Sequence, residues 1–451
     1  MKKRRMRKNI LSNTIACLLI IGSVVLVIHI LFVHLLPLTY IIPLALAGLF
    51  ISLLVSLYHI KHKKSKPMQT ISTIVVVCLF VFVCFTNYIL LQIPATLHEV
   101  TSLANVSEEK AAVYIMKNKN AKNIKHLDGS VMGMMKSIDP QTAKALQRAM
   151  KKEKVQFQTK EYSSTLKMVQ DLYDGKVGCI AMNCNYVDVI EENKGYGDFA
   201  SEVRSVYSLK FEKRQALQID ENKEFKEEIP QPITMYIHQK GCMDEDILLA
   251  VHPEKKTVGI ISIPSTYYLE IDTPNHKEKY DKMENIHLLG LEVCQKSIEK
   301  ALNVDIDYVM EVDYSKMESF VDAVGGLNIN EAHMDGKAAV EYLKSNHCFV
   351  EGRILQALQD KMIKPTSFIS YGRILKATKE VYKTNMPSDA IKQWVRYELE
   401  NNQSWKFSHY ELQGYISKKH CNQLGIETSV IMPNLESVQE ARTKIIEIIE
   451  K

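Results

Sequence analysis

Three long apolar stretches open the chain, at about 10–36, 40–58 and 71–93, and none contains a Lys, Arg, Asp or Glu. Each approaches the ~20 residues that a helix needs to cross a bilayer. A cleaved signal peptide would explain only the first, and its apolar region is too long for one. Beyond them the pattern changes to short alternating runs. Over 105–215, AAVYIMK, VMGMMK, VQFQTKEY, CIAMN and VRSVYSLKF read as strands, while QTAKALQRAMKKE and SSTLKMVQDLYDG read as helices, the second capped by Ser163 or Ser164 and ended by Gly175. Such alternation predicts a small, mainly parallel α/β sheet covered by helices.

The acidic, Lys-rich run at 219–232 reads as a solvated linker, after which the pattern restarts. DILLAVHPEKKTVGIISIP predicts two strands joined by a short turn. In LEVCQKSIEKAL, Cys294, Ile298, Ala301 and Leu302 share a helical face. IDYVMEVDY alternates as a half-buried strand, and Ser315 with Glu318 predicts a capping box for a helix whose Met317, Phe320, Val321 and Val324 form a stripe. Gly325-Gly326 stops that helix. The predicted fold class is α/β, with a membrane domain of three transmembrane helices at 1–98, a small α/β accessory domain at 99–218, the linker, and a second α/β domain at 233–451.

Charge orients this arrangement. Residues 1–98 hold ten basic residues and no carboxylate, clustered as KKRRMRK at 2–8 and KHKKSK at 61–66. The rest of the chain keeps 47 of the 57 basic residues against all 52 acidic ones, a net of −5. Cytoplasmic loops are enriched in Lys and Arg, so both clusters belong inside and everything after 93 outside: a multi-pass cell-membrane protein with extracellular C-terminal domains. An acidic ectodomain also argues against nucleic acid as a partner, because phosphates favour a basic surface. His29 and His34 in the first span have no ionisable partner nearby in sequence and read as packing residues. Of nine cysteines, six lie outside the spans, with no CxxC and no Cys/His cluster that suggests zinc; they read mostly as free, small apolar side chains.

The order DILLAVHPEKK, SIP, DKMENIHLLG, then NVDIDYVMEVDYSKMESFVDAVGGLNIN at 303–330, FVEG, and IMPNLESVQEARTKI resembles the LytR-CpsA-Psr (LCP) family of bacterial cell-envelope proteins. The three spans and the 105–215 unit resemble its longer, CpsA-like members. The resemblance implies an α-β-α sandwich with a polyprenyl pocket between sheet and helices. It also implies transfer of a capsule or wall glycopolymer from an undecaprenyl pyrophosphate carrier to peptidoglycan, with a magnesium ion and several arginines around the pyrophosphate. On this chain it points to Ile298, Leu302, Phe320 and Val321 for the lipid pocket and to Asp246 for the metal. It points further to Lys361, Lys364 and Ser265 for phosphate binding, and to Arg373 and Lys282 for catalysis. The accessory unit resembles a lobe of solute-binding proteins.

Several of those positions depart from the family pattern. Where the pattern reads Ser-Ile-Pro-Arg-Asp, this chain reads SIPST, so Ser265 stands for an arginine and Thr266 for an aspartate. The Gly-x-Asp after the first strand is replaced by the carboxylate-free region 238–241, and Asn285 stands for a histidine. In ALQDKMIK, Met362 and Lys364 occupy two arginine positions. A guanidinium donates paired hydrogen bonds to a phosphate, whereas a serine offers one neutral donor. Loss of one preorganised donor slows a reaction by ~10² to 10³. Two readings follow: a weakened or inactive phosphotransferase that binds a polyprenyl (pyro)phosphate lipid, or an active magnesium-dependent transferase.

The charge pattern makes a testable claim about topology. Single cysteines placed at Lys63 and Trp405 should react with a membrane-impermeant reagent only from the cytoplasmic side and only from the outside, respectively. The reverse labelling removes an envelope role.

Overall fold

Uniformly apolar sequence leaves backbone groups no partner but each other, and the three opening stretches form helices α1 (Lys2–Val33), α2 (Leu38–Lys61) and α3 (Lys66–Val100). All three are long and apolar enough to cross a membrane. Large side chains such as Phe32, Phe50 and Phe82 face outward, while polar ones turn inward. Ser23 Oγ donates to Ser52 Oγ at 2.8 Å, and His29 Nδ1 lies 2.8 Å from Asn87 Oδ1, tying α1 to α2 and α3. The computed structural model describes residues 2–33, 38–61, 66–104, 106–191, 193–214, 217, 225, 229–241, 245–272, 279–329, 332–345, 357–358, 361, 370–401 and 403–450. His34 lies outside the described residues, as do Met362, Lys364 and most of the stretch 219–232.

The first α/β unit runs β1 (Val106–Met116), β2 (Val131–Met134), α4 (Pro140–Glu153), β3 (Gln158–Glu161), α5 (Thr165–Tyr173), β4 (Cys179–Asn183), α6 (Tyr186–Glu191), α7 (Phe199–Glu202) and β5 (Val203–Arg214). Its strand order is β3-β2-β4-β1-β5. Strand β2 is parallel to β3 and β4, but β1 is antiparallel to both β4 and β5, so the expected mainly parallel sheet is a mixed one. Strand-helix alternation specifies the β2 to β4 crossovers; it carries no information about the long β1–β5 pair, which follows shortly after α3. Ser164 caps α5 by accepting from the Lys167 amide.

The second unit runs β6 (Ile233–Lys240), β7 (Glu245–His252), β8 (Thr257–Pro264), β9 (Tyr268–Glu270), β10 (Tyr280–Lys282), α8 (Met283–Ile286), α9 (Leu291–Leu302), β11 (Tyr308–Asp313) and α10 (Tyr314–Ala323). It continues through β12 (Leu327–Ile329), β13 (Ala332–Met334), α11 (Gly336–Ser345), α12 (Tyr371–Val381), β14 (Tyr382–Thr384), α13 (Ser388–Glu400), β15 (Lys406–Glu411), the hairpin β16 (Gly414–Cys421) and β17 (Ile426–Pro433), and α14 (Leu435–Glu450). Six strands form one sheet in the order β14-β11-β6-β7-β8-β15. Alternate residues of each strand face opposite sides. Leu248, Ile261 and Val309 pack under α9 and α14, while Leu249, Ile260 and Tyr308 pack under α10, α12 and α13. The result is an α-β-α sandwich. The cap of α10 is Asp313, whose carboxylate accepts from the Ser315 amide at 2.9 Å; the expected Ser315 cap is two residues too late, because Tyr314 is already helical.

The two units share an apolar cluster in which Leu288, Cys421, Leu424 and Val430 join Leu166, Phe199 and Val203. The β16–β17 hairpin tip reaches the start of α5, where Gln423 O accepts from both the amide and the hydroxyl of Thr165. Gly425 sits at φ +74°, and a Cβ there would overlap the Ser164 side chain. Gly425→Ala should therefore lower stability by more than the roughly 0.4–1 kcal/mol that a Gly-to-Ala change gains at a compatible site. Equilibrium denaturation checks this, and an unchanged or raised midpoint contradicts the docking.

Candidate functional site at the carboxyl end of the sheet

Strands β6, β8, β11 and β15 run in one direction, so their carboxyl ends gather at one rim of the sheet, where open α/β sheets place their sites. The sequence SIPST ends β8 at this rim. The amide of Tyr267 donates to Pro264 O at 2.9 Å, closing a turn whose two corner residues are Ser265 and Thr266. Ser265 O then accepts from the Glu284 amide and Tyr267 O from the Met283 amide, at 2.9 and 3.0 Å. The turn thus anchors the segment 280–290, which carries two of the charged groups at the rim.

Lys282 is one of them. It is 7 % exposed, and its ammonium forms an ion pair with the equally buried Glu284. A cation held this way carries no net charge toward a phosphate. Next to it, the buried Asp281 accepts from the Lys282 amide at 2.8 Å, Asn285 Nδ2 at 2.6 Å and the Gln423 amide at 2.7 Å. Burial pushes the Asp281 pKa up, and these three donors oppose the shift. Asn285, which stands where the resemblance calls for a histidine, is spent on holding Asp281.

Asp246 is the second residue of β7 and is 1 % exposed. Tyr236 Oη donates to its Oδ1 at 3.1 Å, His238 Nδ1 lies 3.3 Å from Oδ1, and His287 Nε2 lies 2.7 Å from Oδ2. The two imidazole rings are 4.2 Å apart. Burial works to raise the Asp246 pKa, but the charge of His287 and the hydrogen bonds from both histidines outweigh it and hold the carboxyl well below the usual range. The donor atoms of His238, Asp246 and His287 all lie within 4.8 Å of one another, close enough to share a metal ion. Sequence reading singled out Asp246 but neither histidine. They stand 8 residues before it and 41 after it, a separation with no motif, and only the β6–β7 hairpin and the anchored 280–290 segment bring them together.

This donor set does not suit magnesium, the ion implied by the family resemblance. Mg2+ takes oxygen ligands in octahedral geometry, usually one or two carboxylates with several waters. Here one carboxylate is flanked by two imidazoles, and β6, ITMYIHQK, carries no second acid.

The remaining sequence-predicted residues lie elsewhere. Lys361 Nζ donates to Gly325 O at 3.1 Å, beyond the C-terminal end of α10. That helix leaves the rim at β11, so its far end is about 15 Å away along its axis. Arg373 is exposed on α12 and donates to Ser370 Oγ at 3.0 Å. Ile298 and Leu302 belong to the core under α9, and Phe320 and Val321 to the core under α10, on opposite faces of the sheet. The four do not wall one pocket, because strand alternation sends the two helices to different sides. All seven described cysteines are free.

The Lys282–Glu284 pair yields a mutational test. Removing one partner of a buried ion pair leaves an uncompensated charge and costs about 3–5 kcal/mol. Glu284→Gln should lower the denaturation midpoint strongly, and Lys282→Met with Glu284→Leu should recover most of the loss. A neutral single variant would mean that Lys282 is free to reach a ligand.

Residues 228–341 match the model of the LytR_cpsA_psr family. The chain is 28% identical over 179 residues to the polyisoprenyl-teichoic acid–peptidoglycan teichoic acid transferase TagU of Bacillus cereus, covering 34% of this chain and 58% of that protein. It is 25% identical over 175 residues to the Bacillus licheniformis TagU, with 33% and 56% covered. It therefore spans a little over half the length of the curated relatives it matches. Among solved structures, Bacillus subtilis TagU superposes with a TM-score of 0.38 at 20% identity over 49% of this chain and 98% of its own, and TagT bound to LIIa-WTA with 0.38 at 17% over 52% and 95%. Residues 228–341, on the elements from β6 to α11, thus form a LytR-CpsA-Psr family domain.

Proposed function

We propose that this protein works in assembly of a cell-envelope glycopolymer, of wall or capsule, as a membrane-anchored protein that binds a polyprenyl (pyro)phosphate lipid and whose own phosphotransferase chemistry is weak or lost. The relatives named above are transferases of polyisoprenyl-linked teichoic acid to peptidoglycan, and lipid-linked glycopolymer and peptidoglycan are the partners carried over in this reading.

The observation that carries the lipid part is the seating of α12. It packs against both the membrane helix α3 and α10. Lys379 Nζ reaches Glu99 Oε1 at 3.0 Å and Lys383 Nζ reaches Glu99 O at 2.8 Å, fastening the junction of α12 and β14 to the outer end of α3. The core holding Phe320 and Val321 thus adjoins the apolar helix α3, the side from which this reading brings a polyprenyl chain to the domain. The loss of chemistry rests on the rim. Ser265 is a turn corner, Lys282 is neutralised by Glu284, and Arg373 lies on the other face. Phosphoryl transfer depends on neutralising charge as it develops on the phosphates, and among the described residues no guanidinium is placed at the rim to do so.

The test uses the full-length chain in nanodiscs. Undecaprenyl phosphate at about 100 times its dissociation constant should stabilise the fold by ~2.7 kcal/mol, read as a raised melting temperature. Glycopolymer transfer and pyrophosphate hydrolysis should stay near background. Ser265→Arg with Thr266→Asp should restore little, because residues that act as a unit are non-additive. Absence of lipid stabilisation rejects the binding claim. Robust magnesium-dependent turnover, lost on Arg373→Ala, rejects the loss of chemistry and makes the chain an active transferase.

A further inference from the structure

We propose that His238, Asp246 and His287 form a binding site for a divalent transition metal with zinc-like ligand preference. The site is independent of whether the chain transfers glycopolymer. A tetrahedral ion bound at about 2.0–2.1 Å sets its ligands roughly 3.3 Å apart. His238 Nδ1 and Asp246 Oδ1 already stand at 3.3 Å. His287 Nε2 stands 2.7 Å from the other carboxylate oxygen, Oδ2, so an ion held on Oδ1 draws this nitrogen across the carboxylate as well as outward. Two imidazoles, which bind metal in their deprotonated form, beside one carboxylate suit zinc, cobalt, nickel or iron and disfavour the all-oxygen shell of magnesium or calcium.

The surroundings are those of a prepared site. The Tyr236 hydroxyl, fully buried, donates to Asp246 Oδ1 and lies 3.2 Å from His287 Nε2, so it fixes the carboxylate from beside the ligand atoms. The turn that carries His287 is held from the accessory unit, where the buried Lys213 donates to Leu288 O at 3.3 Å and pairs with Glu109. The imidazole side chains retain 15 % and 18 % exposure while Asp246 retains 1 %. Three protein ligands with solvent on one side leave a coordination position open, the arrangement of a site that binds an exogenous oxygen ligand rather than a closed structural one.

Cobalt(II) reports the site directly, because its visible bands are intense in four-coordinate geometry and faint in octahedral geometry. The full-length chain, purified in detergent through a tag without histidine and stripped with EDTA, is titrated with Co2+. The expected result is an intense band saturating at one ion per chain, displaced stoichiometrically by Zn2+ and unmoved by Mg2+ at a thousandfold excess (about 4 kcal/mol of discrimination). His238→Gln and His287→Gln should each weaken binding by about tenfold or more. A faint octahedral spectrum, displacement by Mg2+, or an intense band unchanged in both folded variants overturns the assignment. Circular dichroism verifies the folding of the variants, and if either fails to fold, the wild-type spectrum and the magnesium competition decide alone.

Discussion

Asp281 is a carboxylate with no exposed surface, and the geometry at the rim depends on how it is satisfied. Burying a charge without partners is prohibitive, and with hydrogen bonds it becomes a strong constraint. Its three donors come from places far apart in sequence: its own neighbour Lys282, Asn285 one turn along, and Gln423 at the hairpin tip. Because the Gln423 carbonyl also holds Thr165 of the accessory unit, one carboxylate links the 280–290 segment, the hairpin and α5. An accessory unit that might have hung from the chain is instead part of the support of the rim.

That support determines which side chains face the rim. The same segment that fixes Asp281 pairs Lys282 with Glu284, removing a cation, and aims His287 at Asp246. Asp246 draws His238 and Tyr236 from the neighbouring strand. SIPST offers neither arginine nor acid, Asn285 holds Asp281, and two imidazole nitrogens stand beside Asp246. Buried Asp246 has three partners, where an unsatisfied buried charge would cost several kcal/mol.

Much of the fold was legible in the sequence because the periodicities are local. The spans, the helix from 314 with its stripe Met317, Phe320, Val321 and Val324, the β7–β8 hairpin and α5 with its Ser164 cap all follow from spacing within one element. What the sequence did not convey is non-local. Nothing in the β1 and β5 patterns states that they pair antiparallel, and nothing in the two apolar stripes states that α9 and α10 cover opposite faces, so Ile298 and Phe320 read as one pocket. The site was half legible. Asp246 was visible by resemblance, but His238 and His287 become ligand candidates only through a hairpin and an anchored turn, and Lys282 read as a free cation because its burial beside Glu284 is a tertiary fact.

If the carboxyl end of this sheet holds a nitrogen-rich centre built on Asp246 rather than an oxygen site for magnesium, bound metal must show it. X-ray absorption at the zinc edge of the full-length chain loaded with one equivalent of Zn2+ reads the shell itself. A nitrogen-rich centre gives a low-coordinate inner shell of nitrogen and oxygen at about 2.0 Å with the outer-shell scattering of two imidazole rings. An all-oxygen shell without imidazole scattering would contradict it.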